Sequence, residues 1–396
     1  MRSSGAYATR SSRFSRTLLW RTSLSTNELL HAKEARPLAL ELSCRFAARE
    51  VEHDRSGAFA ADNVNDLRES GMLGLTVPRE RGGLGADLRE TTEVLRILAQ
   101  GSPSTALMLG MHTSILANYL IDPALVPESE RSFFLDQRAW ASEQASKGNI
   151  FAVANSEPGS GGDVHNSKAF VDERDDSEQH LSGLKSFASF GANADFFMAA
   201  ARNTAGAVEY YLVRNDPKHL AIEKEWDALG MRSSESVVLR FNEAPVVGVF
   251  AYRGMLDGAN LRHWSTLSFT AIFIGIGESL LEEVRPRASE MLTKVEITDF
   301  HLQLQACRGF LADTVRREAE GVDKAYRNLV RDCKTFVTRS LAKKALDVYI
   351  AQSGSAYSFS SPVSRKFRDL LAGPALRPPS AIAFEEIWQN LEENEE

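Results

Sequence analysis

Hydrophobic side chains recur at intervals of three or four residues from Leu29 to about Trp140. In the stretch LALELSCRFAAREVEHDRSG, for example, Leu38, Leu42 and Phe46 share one helical face. Glycine at position 71 follows a second such stretch and predicts its end. A later run, STALMLGMHTSILANYLI, is apolar nearly all round and predicts a buried helix. The first third of the chain is therefore expected to be helical.

At about Phe151 the pattern changes to short apolar runs separated by turn residues. Examples of these runs are FAVAN, KAFVDE, FFMAAAR, VEYYLVR and SVVLRF, the last one ending before NEAP. Runs of this length, bounded by Gly, Asn, Asp and Pro, predict antiparallel strands. This β-rich block ends near Val249.

The helical period returns beyond Ala259 in three runs long enough for bundle helices. Ser380 is the expected N-cap of a last helix, AIAFEEIWQN. The predicted fold class is α+β, with an N-terminal helical domain, a middle antiparallel β-domain and a C-terminal four-helix bundle. The predicted boundaries are 1–25 for an N-terminal segment, 26–148, 149–250 and 251–396.

The N-terminal segment is rich in arginine and serine and contains no acid. This composition is typical of a mitochondrial transit peptide, and a disordered basic tail is the alternative. Both remain open, so the expected location is the mitochondrial matrix or the cytoplasm.

Charge and cysteine usage narrow the classes of function. The formal net charge is -7 and the basic residues beyond the N-terminus are scattered, which argues against a nucleic-acid-binding protein. Cys44, Cys307 and Cys333 lie far apart without metal-ligand spacing. No metal site or disulfide framework is predicted.

Three segments carry the motifs. They are ANSEPGSGGDV (154–164), SGLKSFASFGANADFF (182–197) and EWDALGMRSSESVVLRFNEAPV (225–246). A glycine-rich loop such as the first lets backbone N–H groups approach a ligand closely. In this order and at this spacing, the three segments resemble the middle domain of the acyl-CoA dehydrogenase family. The resemblance covers about residues 30–390 and implies an FAD cofactor between the β-domain and the C-terminal helices.

The resemblance implies a role for seven residues in binding that cofactor. Ser156 and Ser189 would hydrogen-bond the flavin ring, and a large side chain at the position of Phe187 would lie against it. Gly161 and Gly162 would line the pyrophosphate, although the family usually has Ser at the second position. Near AQSGSAYSFSS, Gln352 and Gly354 would touch FAD across a subunit boundary.

The catalytic base of the family is not identified. After the matching pair Arg368 and Asp369, the slot for the usual Glu falls near Leu376 and Arg377, in a stretch without an acid. An alternative position in the family falls in LRHWSTLSFT (261–270), which also has none. A guanidinium stays protonated and cannot replace a carboxylate base.

Three interpretations follow. The first is a dehydrogenase that removes an α-proton from an acyl thioester and passes a β-hydride to flavin N5, with His263, His112 or Glu278 as base by residue type only. The second is a flavin monooxygenase on the same fold, and the third is a non-catalytic FAD-binding or scaffold relative. The first is favoured because Ser156, Ser189 and the glycine-rich loop are present.

The same resemblance implies the partners. These are an acyl-CoA or related thioester, as in lipid metabolism, and an electron-transferring flavoprotein or oxygen as electron acceptor. A homodimer or homotetramer is also implied.

Overall fold

The computed structural model describes residues 34–160, 163–174, 178–288, 290–352, 354–375 and 379–393. The side chains of Glu173, Arg174, Ser355 and Glu393 are not described. The predicted N-terminal segment, residues 1–25, lies outside the described residues and stays a prediction.

Among the described residues, five α-helices precede the first strand: α1 (Ala35–Ser56), α2 (Ala61–Ser70), α3 (Leu88–Gly101), α4 (Pro103–Ala117) and α5 (Glu128–Ser146). Gly71 caps α2 in the left-handed conformation, with φ of 80°, which confirms the predicted stop. The side chains of Asp87 and Ser102 accept hydrogen bonds from the first turns of α3 and α4. Nearly every residue of α4 is buried, as its all-round apolar sequence predicts.

The described part of the middle domain contains seven strands: β1 (Phe151–Val153), β2 (Phe170–Arg174), β3 (Glu178–Ala188), β4 (Phe196–Arg202), β5 (Val208–Arg214), β6 (Leu220–Lys224) and β7 (Val237–Val249). The sheet order is β1-β4-β2-β3-β7-β5, and a further pairing of β4 with β5 closes the sheet on itself. β6 pairs with β7. β2 meets β4 at a single residue pair, Phe170 with Arg202.

Two details of the predicted sheet are wrong. β4 runs parallel to both β1 and β2, so the sheet is mixed rather than antiparallel. β7 continues through the expected turn NEAP, and Pro245 pairs with His180 of β3. The register shifts between β3 and β7 allow proline to sit in this strand.

The C-terminal helices are α6 (Arg262–Val284), α7 (Met291–Arg316), α8 (Lys324–Ile350), α9 (Pro362–Ala375) and α10 (Ser380–Glu393). α6 to α9 pack on one another as the predicted four-helix bundle, and α10 lies on α8. By length and composition alone α6 could span a membrane. In this chain its central residues are buried against α3, α4 and the bundle.

One prediction about the last connection needs correction. Pro374 lies in the last turn of α9. Ser380 begins α10, but its hydroxyl donates to the carbonyl of Pro374 at 3.1 Å instead of capping the helix. Leu376 and Arg377, which occupy the expected base slot, lie outside the described residues.

Candidate functional site

Three of the predicted cofactor residues meet at one end of β3. The backbone N–H of Ser186 donates to the carbonyl of Ser156 at 2.8 Å, which joins the glycine-rich loop to this strand. Phe187 and Ser189 follow directly along the chain. Gly161 and Gly162 belong to the same loop but lie outside the described residues.

Phe187 presents a large aromatic ring to solvent from a strained backbone. Its side chain is 57% exposed, and its φ of 58° lies in the left-handed region that non-glycine residues rarely adopt. Trp226 packs edge-to-face against it, with 6.2 Å between ring centroids. An exposed aromatic ring held in a strained conformation is a typical feature of a ligand-binding surface.

Ser189 lies in a chain of buried hydroxyls. Its Oγ is 2.9 Å from Oγ of Ser236, which is 2.8 Å from Oγ of Ser234. A hydroxyl can donate one hydrogen bond and accept others, so each retains capacity for a further partner. The chain can therefore present a donor or an acceptor to a ligand beside Phe187.

A buried ion pair fixes the glycine-rich loop to the sheet. Nζ of Lys185 donates to Oε1 of Glu157 at 2.6 Å, and both side chains are almost fully buried. The carboxylate also accepts from the Ser167 hydroxyl and from the N–H of Lys168. Burial acts to raise the pKa of Glu157, but the hydrogen bonds from Lys185 and Ser167 outweigh it and the pKa is lowered. Both residues lie within the sequence motifs, but the motifs do not indicate that the two side chains pair.

The pair Arg368 and Asp369 connects α9 to both other domains. The Arg368 guanidinium donates to both carboxylate oxygens of Asp54 in α1, at 3.0 and 2.6 Å. Asp369 accepts from the N–H of Met231, which follows β6 in the middle domain, at 2.7 Å. Arg232 donates to the carbonyls of Asp54 and Ala228. Apart from the bond from Arg232 to Ala228, these contacts join different domains.

Gln352 and Gly354 lie on the helical bundle, just after α8. Nε2 of Gln352 is buried and has no hydrogen-bond partner among the described residues. A Cβ added to Gly354 would meet no atom within 4 Å. Their predicted contact with a cofactor in a neighbouring subunit stays a prediction.

All three residues considered as a catalytic base are engaged elsewhere. Nδ1 of His112 accepts from the N–H of Phe151, and its other nitrogen lies 2.8 Å from the carbonyl of Leu73. Burial lowers the pKa of His112 to about 4. His263 is buried and bonded to Glu318 at 2.6 Å.

Glu278 is held in an ion-pair network between helices. It accepts from Arg96 and from Nε2 of Gln100 on α3, the latter at 2.7 Å, and pairs with Arg308 on α7. Among the described residues, none of these three candidate bases is hydrogen-bonded to Ser156, Phe187 or Ser189.

Comparison with known proteins identifies the family of two of the domains. The model of the acyl-CoA dehydrogenase N-terminal domain matches residues 37–124, and that of the middle domain matches residues 152–244. The second match contains the glycine-rich loop, β3 and the segment before β7. The chain belongs to the acyl-CoA dehydrogenase family.

Relatives within this family differ in their reactions. The chain is 27% identical over 317 residues to dibenzothiophene monooxygenase of Mycolicibacterium goodii, covering 71% of this chain and 72% of that one. It is 24% identical over 362 residues to the putative acyl-CoA dehydrogenase YdbM of Bacillus subtilis, covering 83% and 88%. The solved structure of FMN-bound TdsC from Paenibacillus sp. A11-2 has a TM-score of 0.76 at 22% identity, covering 89% and 96%.

Proposed function

We propose that this member of the acyl-CoA dehydrogenase family binds a flavin at Ser156, Phe187 and Ser189 and acts as a flavin-dependent monooxygenase. The observation that carries the reaction type is the engagement of His112, His263 and Glu278 in contacts away from this site. Removal of an α-proton needs a base within hydrogen-bond reach of the substrate, whereas oxygen insertion by reduced flavin needs none there.

The residues present fit a flavin ring. Phe187 offers an exposed aromatic face, and aromatic rings stack favourably on one another. Ser189 and Ser236 offer hydroxyls that can donate or accept. A bound, reduced flavin would supply two of the electrons needed to cleave dioxygen, and the substrate would supply the other two as it takes up one oxygen atom while the second oxygen atom leaves as water.

The relatives support the same proposal. Dibenzothiophene monooxygenase is among the most similar curated proteins, and the TdsC structure of the same fold contains FMN. Both FAD, which the motifs imply, and FMN belong in the tests. In this reaction the final electron acceptor is dioxygen, and the oxidised flavin must be reduced again for each turnover.

Acyl-CoA dehydrogenation is the second candidate. It is favoured by the longer match to the putative acyl-CoA dehydrogenase YdbM, which spans 83% of this chain. It would require an acyl-CoA substrate, a base other than His112, His263 and Glu278, and an electron-transferring flavoprotein as acceptor.

We also propose that the chain forms a homodimer or homotetramer through its C-terminal helices. Large apolar side chains are exposed on α7, α8 and α10: Met291, Leu302, Ile350, Phe384 and Trp388. Apolar surface of this extent is usually covered by a partner, and self-association is the commonest way to cover it in soluble oligomers.

The two reactions are separated by supplying the flavin-loaded protein with labelled dioxygen or with acyl thioesters. We expect reduced flavin, ¹⁸O₂ and dibenzothiophene or related sulfur and nitrogen compounds to give a product with one ¹⁸O atom by mass spectrometry. Acyl-CoAs mixed anaerobically with oxidised flavin should not bleach it. The Glu278→Gln variant should behave like the wild type, because Glu278 lies in the helix network.

Bleaching by an acyl-CoA of any chain length would instead establish the dehydrogenase. Uncoupled peroxide release with every compound, without labelled product, would contradict the monooxygenase.

A further inference from the structure

The segment from Leu229 to Ser236, between β6 and β7, is gripped by α1 and α9. The Arg368 guanidinium, already paired with Asp54, donates to the carbonyl of Leu229 at 2.8 Å. Two residues along, the N–H of Met231 donates to Asp369. The side chains of Asp54 and Arg368 are each only 7% exposed, so little solvent competes for these bonds.

Close packing also restricts the backbone between the contacts at Leu229 and Met231. A Cβ added to Gly230 would lie 2.6 Å from the carbonyl oxygen of Arg368. On the other side, Nε of Arg232 donates to the carbonyl of Asp54 at 2.7 Å. The segment is thus held from both helices at once.

The backbone of this segment is strained. Met231 and Glu235 are both left-handed, with φ of 53° and 46°. Such conformations persist only where the surroundings impose them, and they cluster at functional sites. The contacts of Asp54, Arg368 and Asp369 supply the necessary restraint at Met231.

The far end of the segment carries the hydroxyls of the candidate site. Ser234 and Ser236 continue the hydroxyl chain to Ser189, and the N–H of Phe190 donates to the carbonyl of Ser234 at 3.0 Å. A shift of the segment would therefore move the groups that face the ligand.

We propose that Asp54, Arg368 and Asp369 are positioning residues that clamp the segment Leu229–Ser236 and thereby set the Ser189 and Ser236 hydroxyls against the cofactor ring. This inference rests on the proposed flavin site. The described contacts of all three are to the protein, so in this proposal they act through the segment. The Arg-Asp pair thus couples the packing of all three domains to the environment of the ring.

The test compares Asp369→Ala with Asp369→Asn and with the control Glu278→Gln, which removes an ion pair between helices outside the clamp. Flavin affinity is measured by titration, and the environment of the ring by its visible absorption spectrum. We expect Asp369→Ala to weaken flavin binding at least tenfold and to shift the spectrum. Asp369→Asn should largely restore both, because its amide oxygen can accept from Met231.

The control Glu278→Gln should lower the melting temperature and leave the spectrum of the bound flavin unchanged. A wild-type spectrum and affinity in Asp369→Ala, or no rescue by Asp369→Asn, would overturn the proposal. If Asp369→Ala does not fold, Arg368→Lys takes its place, because it keeps the charge but loses the two-point pairing with Asp54. A wild-type spectrum in Arg368→Lys would overturn the proposal equally.

A second measurement separates this inference from the flavin site itself. Without flavin, hydrogen exchange at the amides of Met231 and Ala60 reports the clamp, since Ala60 donates to the carbonyl of Ser233 at 3.2 Å. Exchange should be faster in Asp369→Ala than in Glu278→Gln, and equal rates would refute the clamp. If the wild type binds no flavin while this difference is found, the flavin proposal fails and the clamp stands as a structural device only.

Discussion

At the scale of single residues, the chain places several ionisable groups where water cannot reach them. Glu50 of α1 is 5% exposed, and its Oε2 has no hydrogen-bond partner among the described residues. Arg365, Lys366 and Asp369 of α9 and Asp54 of α1 are the charged groups that influence it. Burial, together with the charges of Asp369 and Asp54, raises the pKa of Glu50 to about 8.

This shift gives the folded protein a defined dependence on pH. The folded state keeps a proton on Glu50 that the unfolded state releases near the ordinary pKa of 4.5. The resulting stabilisation is fully present below about pH 4.5 and is lost as the pH rises to about 8. In urea unfolding, the free energy of unfolding should therefore fall more steeply over this range in the wild type than in Glu50→Gln.

Between these two pH values, the free energy of unfolding should fall by a few kcal/mol more in the wild type than in Glu50→Gln. Exposed Glu52 on the same helix provides the matched control, and Glu52→Gln should follow the wild type. Parallel curves for the wild type and Glu50→Gln would show that Glu50 is not held neutral.

At the scale of secondary-structure elements, helices packed at close range connect the N-terminal domain to the bundle. Gly275 of α6 lies against α3, where an added Cβ would meet the carbonyl oxygen of Arg96 at 2.1 Å. Gly309 of α7 has open space around the same position, with no atom within 4 Å. Close packing thus requires glycine at position 275, whereas the described atoms around position 309 leave room for a side chain.

Alanine substitutions should distinguish these two glycines. Gly275→Ala must push α3 and α6 apart, and we expect it to lower the free energy of unfolding by about 1–3 kcal/mol. Gly309→Ala should raise it by roughly 0.5–1 kcal/mol through its better helix propensity. Chemical denaturation of both variants checks this, and an unaffected Gly275→Ala would contradict the close approach of the two helices.

The order of the elements could be predicted because periodicity is a local property of the sequence. Strand direction could not, since the parallel pairing of β1 with β4 depends on contacts between distant segments. β3 was not predicted as a strand either, because the stretch EQHLSGLKSFA lacks a clean apolar alternation. Two ion pairs join residues far apart in sequence: Glu157 with Lys185 and Asp54 with Arg368. No local sequence pattern predicts such pairs.

At the scale of the whole molecule, the three domains converge on one region. α1 and α9 hold the segment before β7, that segment holds Ser189, and the glycine-rich loop is fixed to β3 beside Phe187. Of the middle-domain residues that the motifs single out, the structure places Ser156, Phe187 and Ser189 at this end of β3. The motifs could not show that the Arg-Asp pair after α8 supports the same region from another domain.

The central claim is that Phe187 and its neighbouring hydroxyls seat a flavin, and titration of the protein with FAD and with FMN tests it most directly. We predict saturable binding of one of them, weakened roughly tenfold or more in Phe187→Ala because the stacking surface is lost. Phe170→Ala, which removes a similarly exposed ring on β2, should bind like the wild type. No saturable binding of either flavin, or equal affinities in Phe187→Ala and the wild type, would contradict the account.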